Sequence, residues 1–167
     1  GKTTLARMAF PDYTYVSLEE PDEKDFAATD PKGFLKRFTG GVILDEIQRA
    51  PMLLSYIQVI VDSEDFPGHF ILTGSQQLPL MGRISQTLAG RTAVVHLLPF
   101  SLDELLTRPS ADPLSIDRLP AAREIPPFEL ETILHTGLYP RIHDKGLIAR
   151  DWLSSYYQTY VERDVRD

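Results

Sequence analysis

The chain has no cysteine, so it can build neither a disulfide framework nor a thiolate metal site. It has no run of about 18 apolar residues, and no membrane-spanning helix is expected. No charged-then-apolar leader opens it, so no secretion signal is read, and a cytoplasmic location is the expectation. Positive charge is also in short supply: 17 Lys and Arg stand against 24 Asp and Glu, for a net charge of −7. A whole-surface electrostatic grip on nucleic acid is therefore not expected. The acid is uneven, with Glu19, Glu20, Asp22, Glu23, Asp25 and Asp30 crowding one segment. That segment reads as a solvated loop and helix face. The histidines, His69, His96, His135 and His143, have no ligand-like spacing and read as structural.

What is present is enough apolar residue, 43% of 167 positions, for one packed domain or one domain and part of a second. The first four residues are Gly1-Lys2-Thr3-Thr4, and Val42-Ile43-Leu44-Asp45-Glu46 follows some forty residues later. The first block has the composition of the back half of a phosphate-binding loop. The lysine supplies an ammonium for β/γ-phosphates and the threonine a hydroxyl for Mg²⁺. The second is an apolar strand ending in two carboxylates, one for the metal shell and one to orient water.

Periodicity places these blocks on alternating elements. A helix starts at Lys2 and a short strand runs from Tyr13 to Leu18. A helix follows from about Asp30 to Phe38, with Asp30 as its cap and Pro31 at its first position. Gly40-Gly41 breaks it. Val42 to Leu44 reads as a buried parallel strand. Pro51 opens a helix whose Leu53, Leu54, Ile57, Ile60 and Val61 share one face. His69 to Leu72 reads as a strand, a helical region runs to about Leu88, and Thr92 to Leu98 reads as a further strand. The expected class is α/β, a parallel sheet with flanking helices. The pattern stops at Pro99. Ser101 can cap a helix through Leu106, and residues 107–127, with five prolines, read as a linker. Helices are expected from Phe128 to Thr136 and from about Leu147 to Val165. The expected domains are 1–99, the core, and 100–167, a small helical lid.

Five blocks in this order carry a resemblance: Gly1-Lys2-Thr3-Thr4-Leu5, Leu44-Asp45-Glu46-Ile47-Gln48-Arg49-Ala50-Pro51, Leu72-Thr73-Gly74-Ser75-Gln76, Leu88-Ala89-Gly90-Arg91 and Leu98-Pro99-Phe100-Ser101-Leu102. Gly137-Leu138-Tyr139-Pro140 and Tyr160-Val161-Glu162-Arg163-Asp164-Val165 follow. Together they resemble the prokaryotic AAA+-type P-loop ATPases that carry a second C-terminal domain of unassigned function. The family's loop begins several residues earlier, after a first strand, and its second domain reaches past residue 167. The expectation is therefore a central piece of a longer protein, cut at both ends, with an empty sheet position. Alone, such a piece is expected to aggregate and to bind ATP poorly. Leu138 stands where the family's Gly-x-Pro turn has glycine.

Lys2 is the first candidate: a point cation at a helix N-terminus, where backbone N–H groups already favour an anion. Gly1 would let the backbone approach phosphate, Thr3 would ligate Mg²⁺, and Thr4 lies beside the α-phosphate. Asp45 would hold Mg²⁺ through water, and Glu46 would orient or deprotonate the attacking water. The resemblance implies a polar sensor among Thr73, Ser75 and Gln76, with Ser75 favoured over the other two. It also implies an arginine acting on a neighbouring subunit's γ-phosphate; Arg91 is the candidate, Arg83 competes, and a structural ion pair is the alternative. If Arg91 acts in trans, the active form is a homo-oligomer. Tyr139 and Pro140 would sit against adenine, the alternative being a plain turn; Arg141 is a weaker phosphate contact. Trp152, Tyr156 and Tyr160 share a helix face, read as core facing the second domain.

The function expected is Mg²⁺-dependent ATP binding and hydrolysis driving a conformational switch. The alternatives are a regulatory module that binds ATP with little turnover, and a DNA-associated role carried outside this acidic chain.

Overall fold

The computed structural model describes residues 1–63, 67–74, 82, 87–107 and 129–161. The chain divides into two compact units, Gly1–His96 and Leu97–Asp167.

In the first unit, α1 (Lys2–Ala9) leads into β1 (Thr14–Ser17), followed by α2 (Pro21–Thr29), α3 (Pro31–Lys36) and β2 (Val42–Asp45). A 3-10 turn, Ile47–Arg49, then α4 (Leu53–Ser63) and β3 (Phe70–Leu72) follow. The strands form one parallel sheet in the order β1-β2-β3, with Ser17 opposite Asp45 and Leu44 opposite Leu72. Parallel neighbours need long crossovers; α2 with α3 supplies the first, and the 3-10 turn with α4 the second.

All four residues of β2 are buried, which is why Val42, Ile43 and Leu44 form a continuous apolar run and not an alternation before Asp45. Val42 and Leu44, with Val16 and Leu18, pack against Ala27, Phe34, Leu35, Leu53, Leu54 and Ile57 of α2, α3 and α4. Strand alternation sends Ile43, Asp45 and Tyr15 to the opposite face. There α1 lies, with Ala6 buried and the Arg7 guanidinium 4.9 Å above the Tyr15 ring.

The acidic segment is a loop and an exposed helix face: Glu19, Glu20, Asp22, Asp25 and Asp30 are exposed, and Glu23 is half-buried. Residues 21–29 form α2, entered through Pro21, and Glu23 pairs with Arg37. The Arg37 guanidinium lies 4.8 to 5.1 Å from the rings of Phe26, Phe34 and Phe38. One arginine thus takes part of the acid's charge and covers an aromatic edge of the core. Asp30 caps α3 by accepting from the Gly33 amide at 2.8 Å.

Tyr13 pins the N-terminal ends of the strands. Its hydroxyl donates to the Gly68 carbonyl at 3.0 Å. Its ring lies so close over Gly41 that a Cβ there would come within 2.3 Å of it. Only glycine leaves room for that approach.

The strand expected at Thr92–Leu98 does not form. These residues have no regular structure, and Val95 and Leu98 are 85% and 76% exposed. Their composition suits a strand, but a strand also needs a neighbour for its ladder. Among the described residues they pair with none.

The second unit is helical where described: α5 (Leu102–Leu105), α6 (Leu130–Thr136), α7 (Pro140–Lys145) and α8 (Ala149–Tyr156), the last running into a π-helical turn, Tyr157–Val161. Ser101 and Glu104 close a reciprocal cap on α5: the Ser101 hydroxyl accepts from the Glu104 amide, and the Glu104 carboxylate from the Ser101 amide. The short helix α7 replaces what reads in sequence as a turn and loop. Pro140 occupies its first turn, and Gly146, at φ 57°, ends it. No helix among the described residues is long and apolar enough to cross a membrane.

Candidate functional site

Asp45 ends β2 at the C-terminal edge of the parallel sheet, the edge where open α/β sheets take ligands. Only 6% of it is exposed. A buried carboxylate is costly unless hydrogen-bonded, and three hydroxyls from three chain segments meet this one. Thr3 on α1 donates from a position 3.1 Å from Oδ1 and 2.9 Å from Oδ2. The Tyr15 hydroxyl on β1 donates to Oδ2 at 2.9 Å. The Thr73 hydroxyl, just past β3, donates to Oδ1. Backbone bonds hold the strand ends in register: Leu18 N to Asp45 O at 3.0 Å, Thr73 N to Leu44 O at 3.1 Å and Ile47 N to Thr73 O at 3.0 Å. Burial raises the Tyr15 phenol above its ordinary pKa, and its hydrogen bond to Asp45 and that group's charge push the same way.

Thr3 lies in the first turn of α1, whose cap is Gly1. Gly1, Lys2 and Thr4 are exposed around it, and Lys2 makes no ion pair among the described residues. The first turn of α1, whose amides have no intrahelical partners, meets the buried carboxylate through Thr3; with the exposed Lys2 in the same turn, it suits an anion.

Glu46 follows Asp45 in the left-handed conformation, at φ 58° and ψ 47°. A non-glycine residue there costs on the order of 1 kcal/mol or more. The bend turns the chain out of β2 into the 3-10 turn. Its carboxylate accepts from the Gln48 side-chain amide. The other end of that amide, Gln48 Oε1, is buried and has no hydrogen-bond partner among the described residues.

The structure thus brings Thr3, Asp45 and Thr73 into direct contact, with Glu46 adjacent. Tyr15 joins them without having been a candidate. Ser75, Gln76 and Arg83 lie outside the described residues. Arg91 is elsewhere: it pairs with Asp62 of its own chain and donates to the Ala89 carbonyl at 3.0 Å. Its hydrogen bond to Asp62, with that group's charge, raises its pKa. Tyr139 and Pro140 belong to the second unit. The Tyr139 ring packs 5.4 Å from Trp152 and 5.4 Å from Tyr156, which stack on each other at 5.0 Å. His143 bonds the Gly137 carbonyl at 2.8 Å and so braces the turn that carries Tyr139. Tyr139 stays 37% exposed. No group of three or more His, Cys, Asp or Glu able to hold a metal ion is found among the described residues. Any cation at Asp45 would lean on hydroxyls, water and its own ligand's oxygens.

Comparison with known proteins agrees with this geometry. Two relatives, uncharacterized proteins of Mycobacterium bovis and Mycobacterium tuberculosis, are each 30% identical over 168 residues, covering 99% of this chain. The chain covers 34% of each relative, about a third of their length. No solved structure matches. Residues 1–106 match the model of a family described as an AAA domain, which points to nucleotide binding. The buried carboxylate at the edge of a parallel sheet, the helix N-terminus beside it and that match make one statement: the chain belongs to the AAA domain family.

Proposed function

We propose that this chain carries the nucleotide site of a Mg²⁺-dependent ATPase, whose hydrolysis drives a conformational switch in the full-length protein. The observation that carries the reading is the Thr3–Asp45 contact. A threonine that gives its hydroxyl proton to a buried carboxylate keeps both oxygen lone pairs for a hard cation. Asp45 has no basic partner among the described residues, so its charge is matched by hydroxyl dipoles alone and a cation would find it under-neutralised. The donor set fits Mg²⁺. When bound with ATP, Mg²⁺ would neutralise charge developing on the β/γ-phosphate oxygens.

Each residue then has a task. Gly1 and the first amides of α1 take up phosphate oxygens, and Thr4 lies near the α-phosphate. Lys2, which makes no ion pair among the described residues, brings its ammonium to the β/γ-phosphates. Thr3 and Asp45 hold the cation, Asp45 through water. Glu46 orients or deprotonates the attacking water, and the polar residue after β3 (Thr73 or Ser75) senses the γ-phosphate. Arg91 leaves Asp62 and serves a neighbouring subunit's γ-phosphate in a homo-oligomer. Tyr139 and Pro140, on a small helical lid, receive adenine. In the full-length protein Glu46→Gln is expected to keep Mg-ATP binding and lose steady-state hydrolysis. Unchanged hydrolysis would exclude the role given to Glu46.

A second reading, tight ATP binding with little turnover, is favoured by the bond between Gln48 and Glu46, which occupies one oxygen of the would-be base. Turnover of about 10 per second, that of a median enzyme, would exclude it.

A further inference from the structure

We propose that Tyr15 is a positioning residue for the metal side of the nucleotide site: it fixes the Asp45 carboxylate so that one edge of it faces Thr3. The inference rests on the reading of Asp45 and Thr3 as the cation-holding pair. A carboxylate has about four lone-pair directions, two on each oxygen. Here the Tyr15 hydroxyl takes one on Oδ2 and the Thr73 hydroxyl one on Oδ1. The Thr3 oxygen, 3.1 and 2.9 Å from the two carboxylate oxygens, sits across the edge that joins them. With an oxygen held on each side, the group cannot rotate about its Cβ–Cγ bond without losing a bond. The edge shared by both oxygens stays turned to α1, where the phosphate-facing amides begin.

Tyr15 is itself held on two sides. Its backbone is fixed in β1 opposite Ile43, and its ring is covered by the Arg7 guanidinium 4.9 Å away. Arg7 lies one helical turn beyond Thr3 on the same helix. The contact that sets the Tyr15 ring therefore also sets the distance from α1 to the sheet. Among the described residues, loss of the phenolic hydroxyl would leave Oδ2 tied to Thr3 alone, the residue a cation must recruit. The carboxylate would then be free to turn away from the site. Groups that orient a metal's ligands from behind typically change metal affinity by about 10- to 100-fold when removed.

The test is a Mg²⁺ titration of fluorescent ATP-analogue binding by the full-length protein, wild type beside Tyr15→Phe, with analogue affinity in EDTA measured on both. The expected result is a rise of about tenfold in the Mg²⁺ concentration at half-saturation, with the same affinity in EDTA. A merely structural role would move both affinities together, or neither. Equal Mg²⁺ half-saturation in a folded Tyr15→Phe protein overturns the inference and leaves the nucleotide site standing. Wild type that binds the analogue no better with Mg²⁺ than in EDTA overturns the Thr3–Asp45 reading, and this inference with it. If Tyr15→Phe does not fold, Arg7→Met, which keeps the hydroxyl and uncovers the ring, is expected to shift half-saturation the same way by about two- to fivefold. No shift there overturns the inference as well.

Discussion

The two ends of the parallel sheet are tied by the same kind of group, a tyrosine hydroxyl, from positions two residues apart on one chain segment. At the N-terminal end, Tyr13 gives its proton to the Gly68 carbonyl and lays its ring on Gly41. At the C-terminal end, Tyr15 gives its proton to the Asp45 carboxylate, which Thr3 and Thr73 also hold. The first acceptor is a neutral backbone group that the sheet's own geometry presents. The second is a charge, buried at a cost that only its donors offset. Equal chemistry at the two ends thus has unequal meaning. The lower end closes the fold, while the upper end concentrates hydroxyls on a single carboxylate beside the start of a helix that carries an exposed lysine with no ion pair among the described residues. Stability alone does not call for such a cluster, because apolar residues of similar size would fill the space at less cost.

The comparison can be broken at either end. The largest effect is expected for Asp45→Asn. An amide in place of the carboxylate removes the charge and turns an NH₂ donor against hydroxyls that are already donors. ATP turnover by the full-length protein should fall by about a hundredfold or more, read by phosphate release. A near-normal rate would remove the upper end's claim to function. Next comes Gly41→Ala at the lower end. Its new Cβ would meet the Tyr13 ring at 2.3 to 2.4 Å, and the ring must move. Thermal or urea unfolding should show a loss of about 1–3 kcal/mol, typical of overpacking. The smallest effect is that of Tyr13→Phe, which removes one hydrogen bond to a carbonyl. It should cost about 1 kcal/mol of stability and leave the Mg²⁺ dependence of nucleotide binding unchanged. Were Tyr13→Phe to alter Mg²⁺ dependence as Tyr15→Phe is expected to, the distinction between the two ends would fail.

Much of the upper end is legible in sequence because its residues sit in blocks with a chemical reason for their spacing. Gly-Lys-Thr before a helix and an apolar run ending in Asp-Glu can be paired without coordinates, and the structure puts Thr3 against Asp45. Tyr15 is not legible in the same way. A tyrosine in a short alternating strand satisfies β-propensity and half-burial, and nothing local says that its hydroxyl meets a carboxylate 30 residues on. That contact depends on strand register, which one sequence does not display. The left-handed Glu46 is equally silent, since no glycine or asparagine marks it. Thr92–Leu98 shows the opposite failure: good strand composition, but no paired neighbour among the described residues. The helix α7 is hidden by its brevity, six residues beginning with proline and ending before glycine, a pattern that reads as punctuation. Within the exposed acidic segment the pairing of Glu23 is hidden, because its partner, Arg37, lies on the next helix.

The account stands most directly on Mg-ATP binding by the full-length protein, wild type beside Lys2→Ala. Wild type should bind Mg-ATP, and Lys2→Ala should bind at least about tenfold more weakly, the scale of one hydrogen bond to a charged group. Equal binding by the two, or none by wild type, would contradict the assignment of the sheet's C-terminal edge as a nucleotide site.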